Sequence, residues 1–491
     1  MVLSQALRAL SIFTTLSCLP SYAAAQGDAS TACSHLESVL GGRVVLPGGE
    51  KYRVASEGNW VQTAWASPTC VIQPVTAEQV SEAVKYLSRE NVHFAIRSGG
   101  HSPAPLGANI NEGVLFDMSG FNEVEYDAER GVATVGTGLR WGEVYHYLEQ
   151  YNKTVVGGRI LEVGVGGLTL GSGLSYLSDL YGLACDNIVL ADGSIVNANR
   201  HSHRDLWWAL KGGANNFGVV TRFTLRTYQI GDVWGGYKVY SFDSLPLLTE
   251  AMAKYQSVLV KDPHANLMMQ AFPLNGTLGV LLNMVYSKAV EKPAAFAPFY
   301  HIPTVADTVK IQPYVDFLAG QMPPSFPRLN WYTTSFKTDA ALFRTVEKIV
   351  TESPELHTIK NLTAGSIAVG WQPISTNTVG AGLVRGGNAL GLEYASQTWL
   401  AIDIGWWNPE DDEVANEATA SLIAKIEDAA KRRGKYVDYV FMNDADVSQN
   451  VIEHYGKGNV AKLRAIQRRY DPRDVFQTLV PGGFKLPVKH K

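Results

Sequence analysis

Apolar positions along this chain fall into two periods. In AEQVSEAVKYLSRE, Val80, Ala83, Val84 and Leu87 recur at helical spacing, and LRWGEVYHYLEQY repeats the pattern with Val144 and Leu148. CSHLESVL also reads as a helix, whereas GVATVGTGL and VVLPGG read as strand and turn. Short strands and helices alternate in this way from Ala66 to about Tyr228. From Gln229 to about Met442 the apolar runs lengthen into strands, among them VWGGYKVYSF, NLMMQAFPL, TLGVLLNMVYS, NLTAGSIAVGWQPIS and QTWLAIDIGWWN. Helices such as AALFRTVEKIVTE and EDDEVANEATASLIAKIEDAAKRRGK separate them, which predicts a sheet carrying helices on one face.

The first residues stand apart. Arg8, the apolar run LSIFTTLSCL and the small residues of SYAAAQ have the order of a secretory signal peptide, cut after Ala25. That run is too short to span a bilayer and no later one approaches twenty residues, so no membrane partner is expected. Cleavage would remove Cys18 and leave Cys33, Cys70 and Cys185; in an oxidising compartment Cys33 and Cys70 are the expected disulfide, the alternative being two buried thiols. Sequons at Asn152, Asn275 and Asn361 point along the same secretory route, to an extracellular location.

Composition adds limits. At 491 residues, 46% of them hydrophobic, the chain is long enough for two or three domains with a large core. A net charge of −4 and the absence of a basic stripe argue against a nucleic-acid partner, and the 11 histidines form no ligand pair at metal-like spacing.

Two glycine-rich stretches carry the candidate chemistry. HFAIRSGGHS opens as a short strand, then presents the backbone of Arg97, Ser98, Gly99 and Gly100 with little side-chain obstruction, a turn suited to a pyrophosphate. The arginine is expected to add charge near that anion, and His101 and Ser102 follow directly. In VGVGGLTLGSG, Gly164, Gly166, Gly167, Gly171 and Gly173 are interleaved with Val163, Val165, Leu168, Leu170 and Leu174, so an ordered, buried loop is expected and not a tether. Neither stretch fits GxGxxG between strand and helix, and no GxxxxGK[ST] loop occurs.

In their order along the chain, CVIQPVTAEQVSEAVKYL, RSGGHS, LFDMSGFNEVEYD, VGTGLRWGEVYHYL, VGVGGLTLGSGLSYLSDLYGLACDNI, DLWWALKGGANNFGVVTRFTL and YDPRDVF resemble the FAD-linked oxidases with a vanillyl-alcohol-oxidase-like, PCMH-type FAD domain. Within them the chain resembles the berberine-bridge-enzyme-like branch, as a secreted, fungal-type member. The resemblance implies an α+β fold: a PCMH-type FAD-binding domain over residues 26–230, an inserted substrate domain over 231–442 with an antiparallel sheet backed by helices, and a segment, 443–491, returning to the first domain. It implies FAD joined to His101, with further contacts from the two glycine stretches, Asn187, Gly218, Val220 and Asn443. The branch's second, cysteinyl link falls on Ile160 in GRILEVGVGG, so one covalent bond is expected.

The branch places tyrosines in a YxNYxD block; here that block reads FMNDAD, with Phe441 and Asp444 in the tyrosine positions, so a tyrosine base does not carry over. Candidates for substrate chemistry are Glu393 as base, Gln372 orienting a carbonyl, and Tyr439, with Asn388 and Asp403 beside them; for the acids a salt bridge or a solvated strand end is the competing reading. The implied activity is oxidation of a small secondary-metabolite substrate by hydride transfer, with O2 reduced to H2O2 and the enzyme monomeric. Alternatives are an oligosaccharide oxidase using Trp331, Trp406 or Trp407 as platforms, and a flavin-scaffolded cyclase.

Overall fold

A computed structural model describes residues 26–182, 188–321 and 325–487. The signal segment, Cys185 and Asn187 lie outside the described residues.

The N-terminal part is built on short strands because its apolar runs are short. Val44–Val45, Cys70–Ile72, Val114–Asp117 and Phe94–Arg97 lie side by side in that order, the last three mutually parallel. The helix Ala77–Glu90 makes the crossover between Cys70–Ile72 and Phe94–Arg97. It starts where Thr76 Oγ1 accepts the Gln79 N–H (3.3 Å) and stops at Asn91 in left-handed backbone. Its face of Val80, Ala83, Val84 and Leu87 packs with Phe94, Phe116 and Ile72. Phe476, Leu479 and Val480 complete that same core, and the Phe94 N–H donates to the Leu479 carbonyl (2.8 Å). The last segment of the chain is therefore part of the first hydrophobic core.

Cys33, in the helix Ala29–Leu40, is bonded to Cys70 with the Cα atoms 6.0 Å apart. The bridge closes a loop across 37 positions, so Cys33→Ser is expected to cost about 3–4 kcal/mol, read as a lowered thermal midpoint. Cys70→Ser should give the same loss, and the double variant no more than either single one.

The second part is one antiparallel sheet. Its strand order is Ala306–Asp307, Val233–Tyr240, Val280–Tyr286, Ala265–Ala271, Ser366–Ile374, Gln397–Trp406, Arg328–Lys337 and Tyr436–Val437, with Lys310–Gln312 also paired to Val233–Tyr240. Strand alternation divides it into two faces. Met269, Leu282, Val369, Trp371, Leu400, Ile402 and Phe336 form a core with the helices Leu245–Gln256, Ala340–Glu352 and Asp412–Arg432. The helix Ala340–Glu352 shows why: Leu342, Phe343, Val346 and Val350 make one apolar stripe, and Asp339 caps its first turn by accepting from Leu342 N (2.7 Å). The opposite face looks toward the glycine loops and carries the candidate chemistry.

The glycine-dense stretch corrects one expectation. Expected as loop, it contains a short helix, Val165–Leu170, fastened by Val165 N to Leu139 O (2.9 Å) and Gly166 N to Ser98 Oγ (3.0 Å). Asn152 and Asn361 lie at exposed turns; Asn275 is half-buried, and its Oδ1 accepts from Thr277 N and Leu278 N.

Candidate active site

The two glycine stretches meet back to back. A Cβ on Gly99 would lie 2.4 Å from the Gly164 Cα, and one on Gly164 would lie 2.3 Å from the Gly99 nitrogen, so neither position admits a side chain. Ser98 seals the contact, donating to Thr137 O (2.6 Å) while accepting from Gly166. Gly171 is pressed on Asn443, whose Oδ1 would be 2.0 Å from a Cβ there, and Asn443 Nδ2 donates to Leu168 O (3.1 Å). Asn443 thus ties the late block to the second glycine stretch. Gly173 packs on Leu168, whereas the space beside Gly167 is open. Ser102 Oγ accepts from Ala104 N (3.3 Å).

Arg97 is a correction. Its guanidinium turns away from the glycine turn to Asp117 (3.3 Å), the Ala55 carbonyl (2.5 Å) and Asn59 Oδ1 (3.2 Å), so its charge is neutralised in a buried cluster. The cation beside Gly99 is Arg140, 3.7 Å from where a Cβ would stand. Gly218, in extended backbone, packs on Val189 O, and Val220 pairs with Ile188 across a short ladder. The preceding loop is covered by the C-terminal segment: Asn215 Nδ2 donates to Gly482 O (3.1 Å) and Asn216 Nδ2 to Phe484 O (2.8 Å). Lys485 donates to Asn215 Oδ1 (2.9 Å) and Phe476 O (3.0 Å), and burial pushes its amine down to about 7.

His101 stacks on Trp60 with ring centroids 4.1 Å apart and planes 8° from parallel, and Trp331 stands 5.9 Å away, tilted. Burial, then the nearby Arg140 charge, pushes the imidazole down to about 4, so it is neutral at physiological pH.

Trp331 leads onto the sheet. It pairs directly with Asp403, which pairs with Ala368, and away from the strand ends these three are the half-buried positions of otherwise buried strands. Gln270 and Met268 continue the half-buried stripe on the neighbouring strand, marking a cleft across the sheet. At its side Gln372 is buried; its Oε1 accepts from Arg159 Nη2 and its Nε2 donates to Asp444 Oδ2 (2.7 Å). Burial raises the Asp444 carboxyl, while Arg159 and the Gln372 bond oppose that rise. Burial and then the Asp444 charge hold Asp403 well above the ordinary carboxylate range. The Asp444 charge thus adds to the burial that disfavours ionisation of Asp403.

The other candidates are placed differently. Glu393 forms an ion pair with Lys337 (2.5 Å) with 49% of its side chain exposed, the environment of a surface salt bridge and not of a buried base. Glu393→Gln is therefore expected to leave the flavin reduction rate unchanged in stopped-flow measurements. Tyr439 is fully buried against Trp399 (4.8 Å) and Tyr455, its hydroxyl unbonded, and burial holds the phenol well above its usual value. Such a phenol stays neutral and does not take protons. Asn388 Oδ1 accepts locally from Leu390 N. Trp406 is buried with Nε1 bonded to Asp412 (2.7 Å), and Trp407 is exposed, so of the aromatic platforms Trp331 is the one on the cleft stripe. Sequence reading missed Trp60, Arg140 and Arg159. Their partners are far away in the chain, and no local pattern marks them.

These features fit a bound dinucleotide with a reactive ring: a glycine cradle, open space at Gly167, a neutral histidine with no hydrogen bond among the described residues, and a polar cleft opposite. The class they define is an FAD-binding oxidoreductase. Residues 68–199 match the FAD binding domain family model, and 438–479 the berberine and berberine-like model. Bifunctional solanapyrone synthase of Alternaria solani is 36% identical over 469 residues, covering 94% of this chain and 90% of that protein. An FAD-dependent monooxygenase of Cochliobolus heterostrophus is 35% identical over 487 residues, covering 94% of each. In fold, the chain is similar to the BBE-like 1 protein of Physcomitrella patens (TM-score 0.76, 19% identity, 94% and 100% covered). It is similar also to the glucooligosaccharide oxidase of Acremonium strictum, which carries a 6-S-cysteinyl, 8α-N1-histidyl FAD (TM-score 0.75, 17% identity, 93% and 98% covered). The chain belongs to the berberine-bridge-enzyme-like family of FAD-linked oxidoreductases. Its homologues include fungal enzymes of secondary metabolism, and its family acts on small molecules with O2. Among the described residues no helix is long and apolar enough to cross a membrane.

Proposed function

We propose that the protein is a secreted, monomeric oxidase that removes hydride from a small secondary-metabolite substrate, with FAD bonded through His101 alone. The observation that carries this reading is Asp403 on the cleft face of the sheet with the Asp444 charge beside it, in a row that leads through Trp331 to His101. Bound FAD would supply the hydride acceptor and return the electrons to O2 as H2O2.

The chain's own groups account for the proton. Arg159 and Gln372 favour negative charge on Asp444, whose Oδ2 accepts from Gln372 Nε2 (2.7 Å). Asp444 is thereby the base that takes the substrate proton as hydride leaves, and Asp403, whose ionisation is disfavoured by burial and by Asp444, donates to a substrate oxygen. Trp331, Met268 and Ala368 give the cleft apolar surface beside the carboxylates. Gly99, Gly100, Gly164 and Gly167 would hold the pyrophosphate and ring, with Arg140 as the nearby cation. Ile160, in the place of the branch's second attachment cysteine, supports a single covalent bond.

The curated relatives' names, a solanapyrone synthase and FAD-dependent monooxygenases, support a metabolite substrate. The leader pattern, the Cys33 to Cys70 bond and the exposed sequons Asn152 and Asn361 support passage through the secretory pathway. The test is a peroxidase-coupled screen of lipophilic polyketide alcohols and aldehydes beside a panel of oligosaccharides. Peroxide formed in step with oxygen uptake on the first group is expected. Turnover of oligosaccharides alone overturns the substrate class, and conversion that continues without oxygen and without flavin reduction overturns the oxidase.

A further inference from the structure

We propose that Trp60 is the positioning residue for attachment of the flavin: its indole fixes the plane of the His101 imidazole and shuts water away from it. The inference rests on the covalent reading above. The two rings are 4.1 Å apart and nearly parallel, and Trp331 closes a third side, 5.6 Å from Trp60 and 5.9 Å from His101. Among the described residues no hydrogen bond holds the His101 ring, so these stacking contacts set its orientation.

Trp60 is itself held rigidly. Its backbone N–H donates to Gly100 O (2.9 Å), inside the very turn that carries His101. Asn59 Oδ1 accepts from Arg97 Nη1 (3.2 Å) and Asn109 Nδ2 (3.2 Å), and a Cβ on Gly58 would come within 3.1 Å of the Arg97 guanidinium carbon. The buried Arg97 cluster therefore clamps residues 58–60 to the glycine turn. That gives Arg97 a role the sequence did not suggest.

Attachment replaces the imidazole N–H and one C–H of the flavin 8α-methyl by an N–C bond. Two electrons and two protons leave, and dioxygen accepts them as hydrogen peroxide. The imidazole nitrogen must bring a lone pair, which the protonated ring lacks. Burial and the Arg140 charge keep the ring neutral, pushing it down to about 4. Other charges nearby are accounted for: Asp117 neutralises Arg97, Glu57 pairs with Arg53, and burial with the Asp444 charge disfavours ionisation of Asp403 beside Trp331.

Protein produced under riboflavin limitation and then supplied with FAD provides the test, with covalent flavin followed by acid precipitation and in-gel fluorescence. Wild type should attach flavin at one rate between about pH 5.5 and 7.5. In Trp60→Ala the hydrated imidazole returns toward its ordinary value near 6.5, so the rate should fall about tenfold across that interval as pH drops. Trp60→Phe, which keeps a stacking ring, should stay close to wild type, and Trp60→Leu, similar in bulk to Phe without a ring, should behave as Trp60→Ala. A pH-independent rate in Trp60→Ala, or equal rates in the Leu and Phe variants, overturns the inference. Should Trp60→Ala not fold, the Leu and Phe comparison decides it. Flavin released by acid from wild type overturns the covalent reading itself, a result distinct from either of these.

Discussion

Replacing His101 with alanine is expected to yield a protein that still binds FAD but releases all of it into acid, with turnover lowered by roughly 10- to 100-fold. Binding survives because the glycine cradle, Ser98 and Asn443 do not involve the imidazole. Turnover is expected to fall because, with the proposed attachment, losing the histidyl substituent lowers the flavin potential, and for a two-electron couple each 30 mV, roughly, is a tenfold change in equilibrium. Acid precipitation followed by the visible spectrum of supernatant and pellet reads the first effect, and anaerobic flavin reduction the second. Colour retained in the His101→Ala pellet would place the attachment elsewhere, and with Ile160 in the cysteine position no second attachment residue stands ready.

How much of this was legible in the sequence depends on whether a residue's role is local. The helix Ala77–Glu90 and the strand Gln397–Trp406 follow from period and caps, since each buries one face set by its own spacing. Gly99 and Gly164 were readable as positions that only glycine fills, because a backbone contact that admits no Cβ demands glycine from both partners. Arg97 was misread because sequence shows its glycine neighbours but not Asp117 and Asn59, which claim the side chain. Glu393 was weighted over Asp403 for a similar reason. Both follow apolar runs, and only the sheet register reveals that Asp403 sits beside Trp331 while Glu393 meets Lys337 at the sheet's edge. The block FMNDAD told that the tyrosines were gone. It could not tell that Asp444 would meet Gln372 and Arg159, residues 72 and 285 positions upstream (444 minus 372, and 444 minus 159).

The carboxylate pair gives the second large effect. Asp444→Asn keeps the shape of the side chain and removes the charge proposed to accept the substrate proton, so anaerobic flavin reduction should slow by about 10²- to 10⁴-fold with substrate affinity little changed. Asp403→Asn imitates the protonated carboxyl and should retain most of the rate near neutrality. The pH dependence separates their roles further. In the wild type, activity should rise with pH as Asp444 gives up its proton, over a range displaced above ordinary carboxylates by burial. In Asp444→Asn the charge that adds to the burial effect on Asp403 is gone, so the Asp403 carboxyl should titrate lower than in the pair. Stability should move against activity. A carboxyl raised by folding stabilises the native state fully below its unfolded value of 3.8, and that contribution is lost as pH rises through the folded value. Either asparagine variant removes one such carboxyl, so its thermal midpoint should fall less than that of the wild type between acid and neutral pH. A slower enzyme whose melting is less sensitive to rising pH is the joint signature expected of Asp444→Asn, because the same buried charge that penalises the fold is the one proposed to take the substrate proton.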